Sequence, residues 1–206
     1  MYFSLCFVLS NNIKELGETC NLSIPQSLQA AISKELHRTF RNSAKWGKTT
    51  TGWFFGFKLH LVINQHAEIV AFRLTSGNVD DRKPVPDMLK PMRGKGYADR
   101  GYISEKLRSR LLKIGILLIT KLKKKMKKKL MTIYDKWMLR KRAIIESVNN
   151  MLKSGCQIEH HRHRSHWNFL SNLFSGLAVY CLNPNKPRLY FPSKEVNEFR
   201  AEISSQ

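Results

Sequence analysis

Asp99 and Glu146 are the acidic residues whose settings suit metal chemistry. Asp99 stands in KGYADRGYISEKL, residues 95–107, at the end of a short segment that reads as a strand, before Arg100 and Gly101 turn the chain. Glu146 stands in DKWMLRKRAIIESVNNMLK, residues 135–153, which reads as one strong helix. The C-terminal end of a strand is where open α/β sheets place ligands. A helix carboxylate can converge on that point, and the pair would hold a hard cation such as magnesium, which takes oxygen ligands. Two such ions about 3.5–4 Å apart activate a water or hydroxyl and stabilise the leaving oxygen in phosphodiester cleavage. Each residue also has an ordinary reading: Asp99 as the cap of the next turn, Glu146 as one half of an i,i+4 salt bridge.

Cations surround these carboxylates. Arg142 and Lys153 lie four residues before and seven after Glu146. At about 3.6 residues per turn the three share one face, while Ile144, Ile145 and Val148 point toward a core. The whole chain carries 36 Lys and Arg against 15 Asp and Glu, a net charge of +21. That excess calls for a polyanionic partner, nucleic acid foremost. Lys58 and His60 alternate with Phe57 and Leu59 and so share a strand face, read here as turned toward DNA. Arg162 and Arg164 sit among His160, His161, His163 and His166. Neither a cysteine pattern nor an HExxH spacing accompanies these histidines, so the segment reads as a phosphate contact rather than a zinc site. Seven lysines fall within residues 121–129, a solvated loop or a phosphate patch. Trp46, Trp53, Phe54, Phe55 and Phe57 suit either a core or base stacking.

The elements that must position these residues can be read in order. TGWFFGFKLHLVIN and EIVAFRLT are strands joined by QHAE, a β-hairpin over 53–75. A short helix follows Pro84 and Pro86, with Asn78 or Asp80 as its cap. The alternative for Asp80 and Asp81 is a supporting role near an active site. A short strand leads to Asp99. Residues 103–114 form an amphipathic helix capped by Ser104 and ended by Gly115, and GILLITKL is a buried strand. A last apolar helix, FLSNLFSGLAVYCL, stops at Asn183, Pro184 and Pro187. The length of 206 residues allows one domain with a core, and 42% hydrophobic residues exclude a disordered basic tail. Cys6, Cys20, Cys156 and Cys181 form no CxxC pair and suit a reducing cytoplasm. No stretch spans a membrane, and the apolar residues 2–9 lack the flanks of a signal peptide.

Together TGWFFGFKLHLVIN, TSGNVDDRKP, YADRGY, LRKRAIIESVNNMLK and IEHHRHRS resemble the DDE transposases of bacterial insertion sequences, and most resemble the insertion-sequence-982 type. The likeness runs from about His37 to Pro187, with the motifs in family order. It implies an α/β fold, a ribonuclease-H-like mixed sheet with flanking helices. It implies that Asp99 is the second catalytic Asp and Glu146 the catalytic Glu, both metal ligands for Mg2+ or Mn2+, two ions in an intact homologue. Arg142 and Lys153 match further positions of the family's signature helix and would hold the DNA backbone. Leu139 stands where the family has Tyr. The implied partners are DNA, both element ends and target, and a second copy in a homodimer.

The family's first Asp belongs upstream of the hairpin, yet no Asp precedes Asp80. Either another residue substitutes or the gene is damaged. Residues 1–36 look unlike the family, residues 37–187 look like its catalytic domain, and 188–206 form a polar tail. A shifted reading frame through Ser23–Gln26 permits Asp-Ser-Thr at the expected distance. The expectation is therefore a first strand that is missing or scrambled, and an inactive copy of a transposase. The alternative is a non-catalytic basic nucleic-acid-binding protein.

Overall fold

Gly52–Ile63 is rich in aromatic and branched residues and forms a 12-residue strand. From Gly56 on every residue of it is buried, so helices must cover it on both faces. The structure is a computed structural model and describes residues 6–8, 22–24, 28–31, 37–49, 52–121, 131–141, 143–159, 163, 165–188 and 197. In chain order the strands are β1 (Cys6–Val8), β2 (Leu22–Ile24), β3 (Leu28–Ala31), β4 (Lys45–Thr49), β5 (Gly52–Ile63), β6 (Ile69–Ser76), β7 (Gly94–Ala98) and β8 (Ile116–Thr120). The helices are α1 (His37–Phe40), α2 (Val85–Leu89), α3 (Glu105–Lys113), α4 (Ile133–Lys141), α5 (Ile144–Asn150) and α6 (His166–Leu182).

The strands form one mixed sheet, ordered β1-β6-β5-β2-β7-β8, with β3 and β4 also paired to β5. The β5–β6 hairpin is antiparallel. Its turn is held by the Asn64 side chain, whose Oδ1 accepts from the His66 and Glu68 amides at 2.9 and 3.0 Å. β2 runs antiparallel to β5 and parallel to β7, and β7 is parallel to β8. One face of the sheet packs Leu59, Leu61, Ile63 and Phe72 against Ile144, Ile145 and Val148 of α5 and Phe169, Leu173 and Leu177 of α6. The other packs Val62, Ala98, Ile116 and Leu118 against Met88 and Leu89 of α2 and Leu107 and Leu111 of α3.

Several sequence expectations hold locally. Ser104 caps α3, its hydroxyl accepting from the Leu107 amide at 3.3 Å. Gly115 follows α3 with φ of 80°, a left-handed angle that suits glycine. Other expectations change. β4 lies ahead of the expected hairpin, in a segment to which no element was assigned. The helix over 135–153 is divided: the amides of Ala143 and Glu146 bond to the carbonyls of Arg140 and Ala143, three residues back. A π turn, Met151–Gly155, then follows α5. The regular angular spacing that would hold Arg142, Glu146 and Lys153 on one face is thus interrupted on both sides of Glu146.

α2 has Pro84 at its cap position and no side-chain cap, so neither Asn78 nor Asp80 caps it. The strand slot expected to lack an occupant is filled in part by β2. Pairing uses backbone groups that every residue carries, so the segment joins the sheet without the family's side chains.

Candidate active site

β7 delivers Asp99. Its central place between β2 and β8 fixes the strand, and Tyr97 and Ala98 are fully buried, packed on opposite faces. Asp99 keeps extended angles, φ −74° and ψ 168°. Alternation therefore carries it to the face of Tyr97, the face covered by α4. A 3-10 turn, Arg100–Tyr102, follows, closed by the Tyr102 amide donating to the Asp99 carbonyl at 3.0 Å. The Asp99 carboxylate does not cap this turn, so the capping reading fails for its side chain.

A buried carboxylate ties β7 to the helix that leads to Glu146. Asp135, in the first turn of α4, accepts from the Tyr97 hydroxyl at 2.8 Å and from Lys95 Nζ at 2.9 Å. Its own amide donates to Thr132 Oγ1 at 3.1 Å. Burial alone would raise the Asp135 pKa, but the hydrogen bonds from Lys95, Tyr97 and Thr132 outweigh it and hold it low. Burial, then the bond to Asp135, pushes the Tyr97 pKa up. Met138 and Leu139 complete a small cluster around Tyr97. Leu139 is 5% exposed, so this position serves the core. Sequence reasoning passed over Tyr97, Lys95 and Asp135. The one available signal was an acidic residue at the start of a helix in a basic chain.

Glu146 is exposed on α5, while Ile144, Ile145 and Val148 are buried. Among the described residues Glu146 makes no ion pair. Lys153 Nζ meets Glu159 Oε1 at 2.8 Å, both side chains partly exposed. Arg142, Arg162 and Arg164 lie outside the described residues, as do His160, His161 and residues 122–130 of the lysine run.

Lys58 and His60 share a face as expected, yet that face is internal. They are 8% and 4% exposed. Lys58 Nζ donates to Val79 O and to Asp81 Oδ1, each at 3.0 Å. His60 Nε2 lies 2.8 Å from Thr75 Oγ1. Burial drives the His60 pKa down to about 4, helped by Lys58 and Arg73 and opposed by Asp81. The expectation that this pair faces DNA is corrected: α2 and the loop before it cover the strand, and Asp81 already neutralises Lys58. Asp80 is held by Arg82 at 2.6 Å, and that hydrogen bond lowers its pKa to about 2. Of the aromatic residues, Phe54 and Phe57 are core, whereas Trp46 and Trp53 are 49% and 68% exposed.

A family model described as a transposase DDE domain matches residues 21–166. The chain belongs to the DDE transposase family. No curated protein matches it significantly. The matched span takes in β2 through the start of α6, and so Asp99, Glu146 and the Tyr97–Asp135 tie.

Membership implies a nuclease and strand-transferase ancestry, a DNA substrate and divalent metal ions. The donor set of this transposase domain can be tested against that metal. Among the described residues no three His, Cys, Asp or Glu side chains gather where they could hold an ion. β2 runs beside β7 with Ser23 opposite Tyr97 and Ile24 opposite Ala98, one residue short of Asp99. Leu22, Ser23 and Ile24 carry no carboxyl group, and neither does Pro25 after them. Among the described residues the donors do not make up a complete two-ion centre.

Proposed function

We propose that this chain is a degenerate copy of an insertion-sequence transposase, of the insertion-sequence-982 type. On this reading it keeps the DNA-binding body of the DDE domain and has lost DNA cleavage. One observation supports it: the strand beside Asp99 pairs Ser23 and Ile24 with Tyr97 and Ala98 and carries no carboxyl group, while the family resemblance calls for the first Asp upstream of the hairpin. Asp99 and Glu146 remain as the two surviving catalytic positions. Arg142, Lys153, Arg162 and Arg164 are the proposed backbone contacts, favoured by a net charge of +21. The sheet supports a ribonuclease-H-like reading, with β6, β5 and β2 antiparallel and β2, β7 and β8 parallel.

We further infer that residues from about Ser23 to Leu36 are translated out of frame. The gene sequence tests this directly, and any base other than G at the end of the Ser23 codon sinks it. Activity tests the rest. Element-end DNA incubated with the protein and Mg2+ or Mn2+ should show at most residual nicking. Rapid cleavage that Asp99→Ala abolishes would overturn the proposal. Binding without cleavage is also what the alternative of a simple basic nucleic-acid-binding protein requires. The matching family span favours the transposase origin. Its working place would be the cytoplasm, and a homodimer would be its assembly. Among the described residues no helix is long and apolar enough to cross a membrane.

A further inference from the structure

A cavity of about 900 Å³ opens along β6, between the start of α6 and the α1–β4 turn. Its volume falls in the range of about 300–1,000 Å³ common for ligand pockets. Its floor is aromatic: Phe57 and Phe169 stack with centroids 5.2 Å apart. Trp167 lines the cavity and is 73% exposed. A tryptophan indole this bare beside a concave aromatic floor offers a flat stacking surface.

The polar lining is cationic. Lys45, Arg73 and Lys83 contribute, against one carboxylate, Asp87. Asp87 is already paired, its Oδ2 2.6 Å from Arg73 Nη1. Neither Lys45 nor Lys83 makes an ion pair among the described residues. The 17-residue α6 begins on the same wall at His166 with no acidic residue in its first turn, so the positive end of its dipole lies at the cavity lining. Aromatic faces with unmatched cations are the recognition chemistry of an unpaired nucleotide: the base stacks and the phosphate meets the lysines. Duplex DNA, whose bases are already stacked, has no use for the indole.

We infer that this cavity is a subsite for unpaired DNA, with one base stacked on Trp167 and the adjoining phosphate against Lys45 and Lys83. The inference rests on the DNA-binding reading above and adds a place and a strandedness to it. It is independent of the carboxylates and survives the loss of cleavage.

Fluorescence anisotropy of the full chain tests it with three labelled probes of equal length: a single strand, a duplex, and a single strand with abasic sites. Trp167→Ala should weaken single-strand binding about tenfold, as expected for loss of one stacked base. It should leave duplex and abasic binding unchanged, and Trp167→Phe should restore most of the loss. The double variant Lys45→Ala, Lys83→Ala should weaken all three probes and flatten the salt dependence. Trp167 is mostly exposed, so its replacement leaves the core intact, and Leu182→Ala at the far, exposed end of α6 is the matched control. If Trp167→Ala binds single strands like the parent while the parent still binds DNA, the subsite is refuted and the DNA-binding reading stands. If the parent binds none of the probes, the DNA-binding reading itself falls and the subsite with it.

Discussion

The Tyr97 hydroxyl donates to the Asp135 carboxylate across 2.8 Å, joining residues 38 positions apart in the chain. Tyr97 is two residues before Asp99, and Asp135 opens the helical run that leads to Glu146. This bond is therefore a strut between the strand and the helices that present Asp99 and Glu146. It is buried, and Lys95 completes it.

Removing the strut should cost stability in two sizes. Tyr97→Phe deletes one hydrogen bond to a charged acceptor and should lower the unfolding free energy by about 1.5 kcal/mol. Asp135→Ala also strands the Tyr97 hydroxyl, while Lys95, about a third exposed, can turn to water. We expect a loss of about 2–3 kcal/mol. Urea unfolding of both variants measures this, and equal stability of Asp135→Ala and the parent would show that the strut carries no energy.

His60 makes stability depend on pH. Its pKa is about 4 in the fold and about 6.5 when unfolded. Below pH 6.5 the unfolded chain takes up a proton that the folded chain refuses. Stability is thus whole above pH 6.5 and falls as the pH drops toward 4, by on the order of 3 kcal/mol. Thermal unfolding between pH 7.5 and 4.5 should show this decline, and His60→Gln should make it shallower. A decline of the same steepness in the variant would assign the effect to other groups.

The β4–β5 hairpin depends on Gly47. A Cβ there would lie 2.3 Å from the Gly77 carbonyl oxygen and 2.7 Å from the Phe54 ring. The backbone oxygen cannot swing away, so Gly47→Ala should destabilise the fold by about 1–3 kcal/mol. Gly101→Ala, with open space around its Cβ position, is the comparison. A smaller effect at Gly47 than at Gly101 would contradict the packing described.

Metal uptake tests the proposed loss of the first carboxylate. Calorimetry of the chain with DNA and Mg2+ should show weak uptake that Asp99→Ala barely changes. Restoring the proposed original frame through residues 23–36 should create uptake that Asp99→Ala then abolishes. Strong Asp99-dependent binding in the unrepaired chain would mean that another donor has replaced the first Asp.

Much of this was legible along the chain. The β5–β6 hairpin, β7 running into Asp99, the Ser104 cap, the Gly115 stop and α6 all rest on signals within a few residues of one another. What was hidden depends on partners far away in sequence. Alternation showed that Lys58 and His60 share a face, but not that α2 and Asp81 would close over it. Helical spacing joined Arg142, Glu146 and Lys153, but not the tightened turn at Ala143 or the π turn after Asn150, which interrupt the regular period.

The sequence alone determined the charge, the motif order that resembles DDE transposases, and the absence of any Asp before Asp80. These are properties of composition and spacing, and folding cannot alter them. Tertiary structure decided which residues stand beside the strand that leads to Asp99. Backbone pairing places Ser23 and Ile24 beside Tyr97 and Ala98, because strand hydrogen bonds form whatever the side chains are. It also built the Tyr97–Asp135 strut and the aromatic, cationic cavity at Trp167, each assembled from distant segments that no local pattern connects.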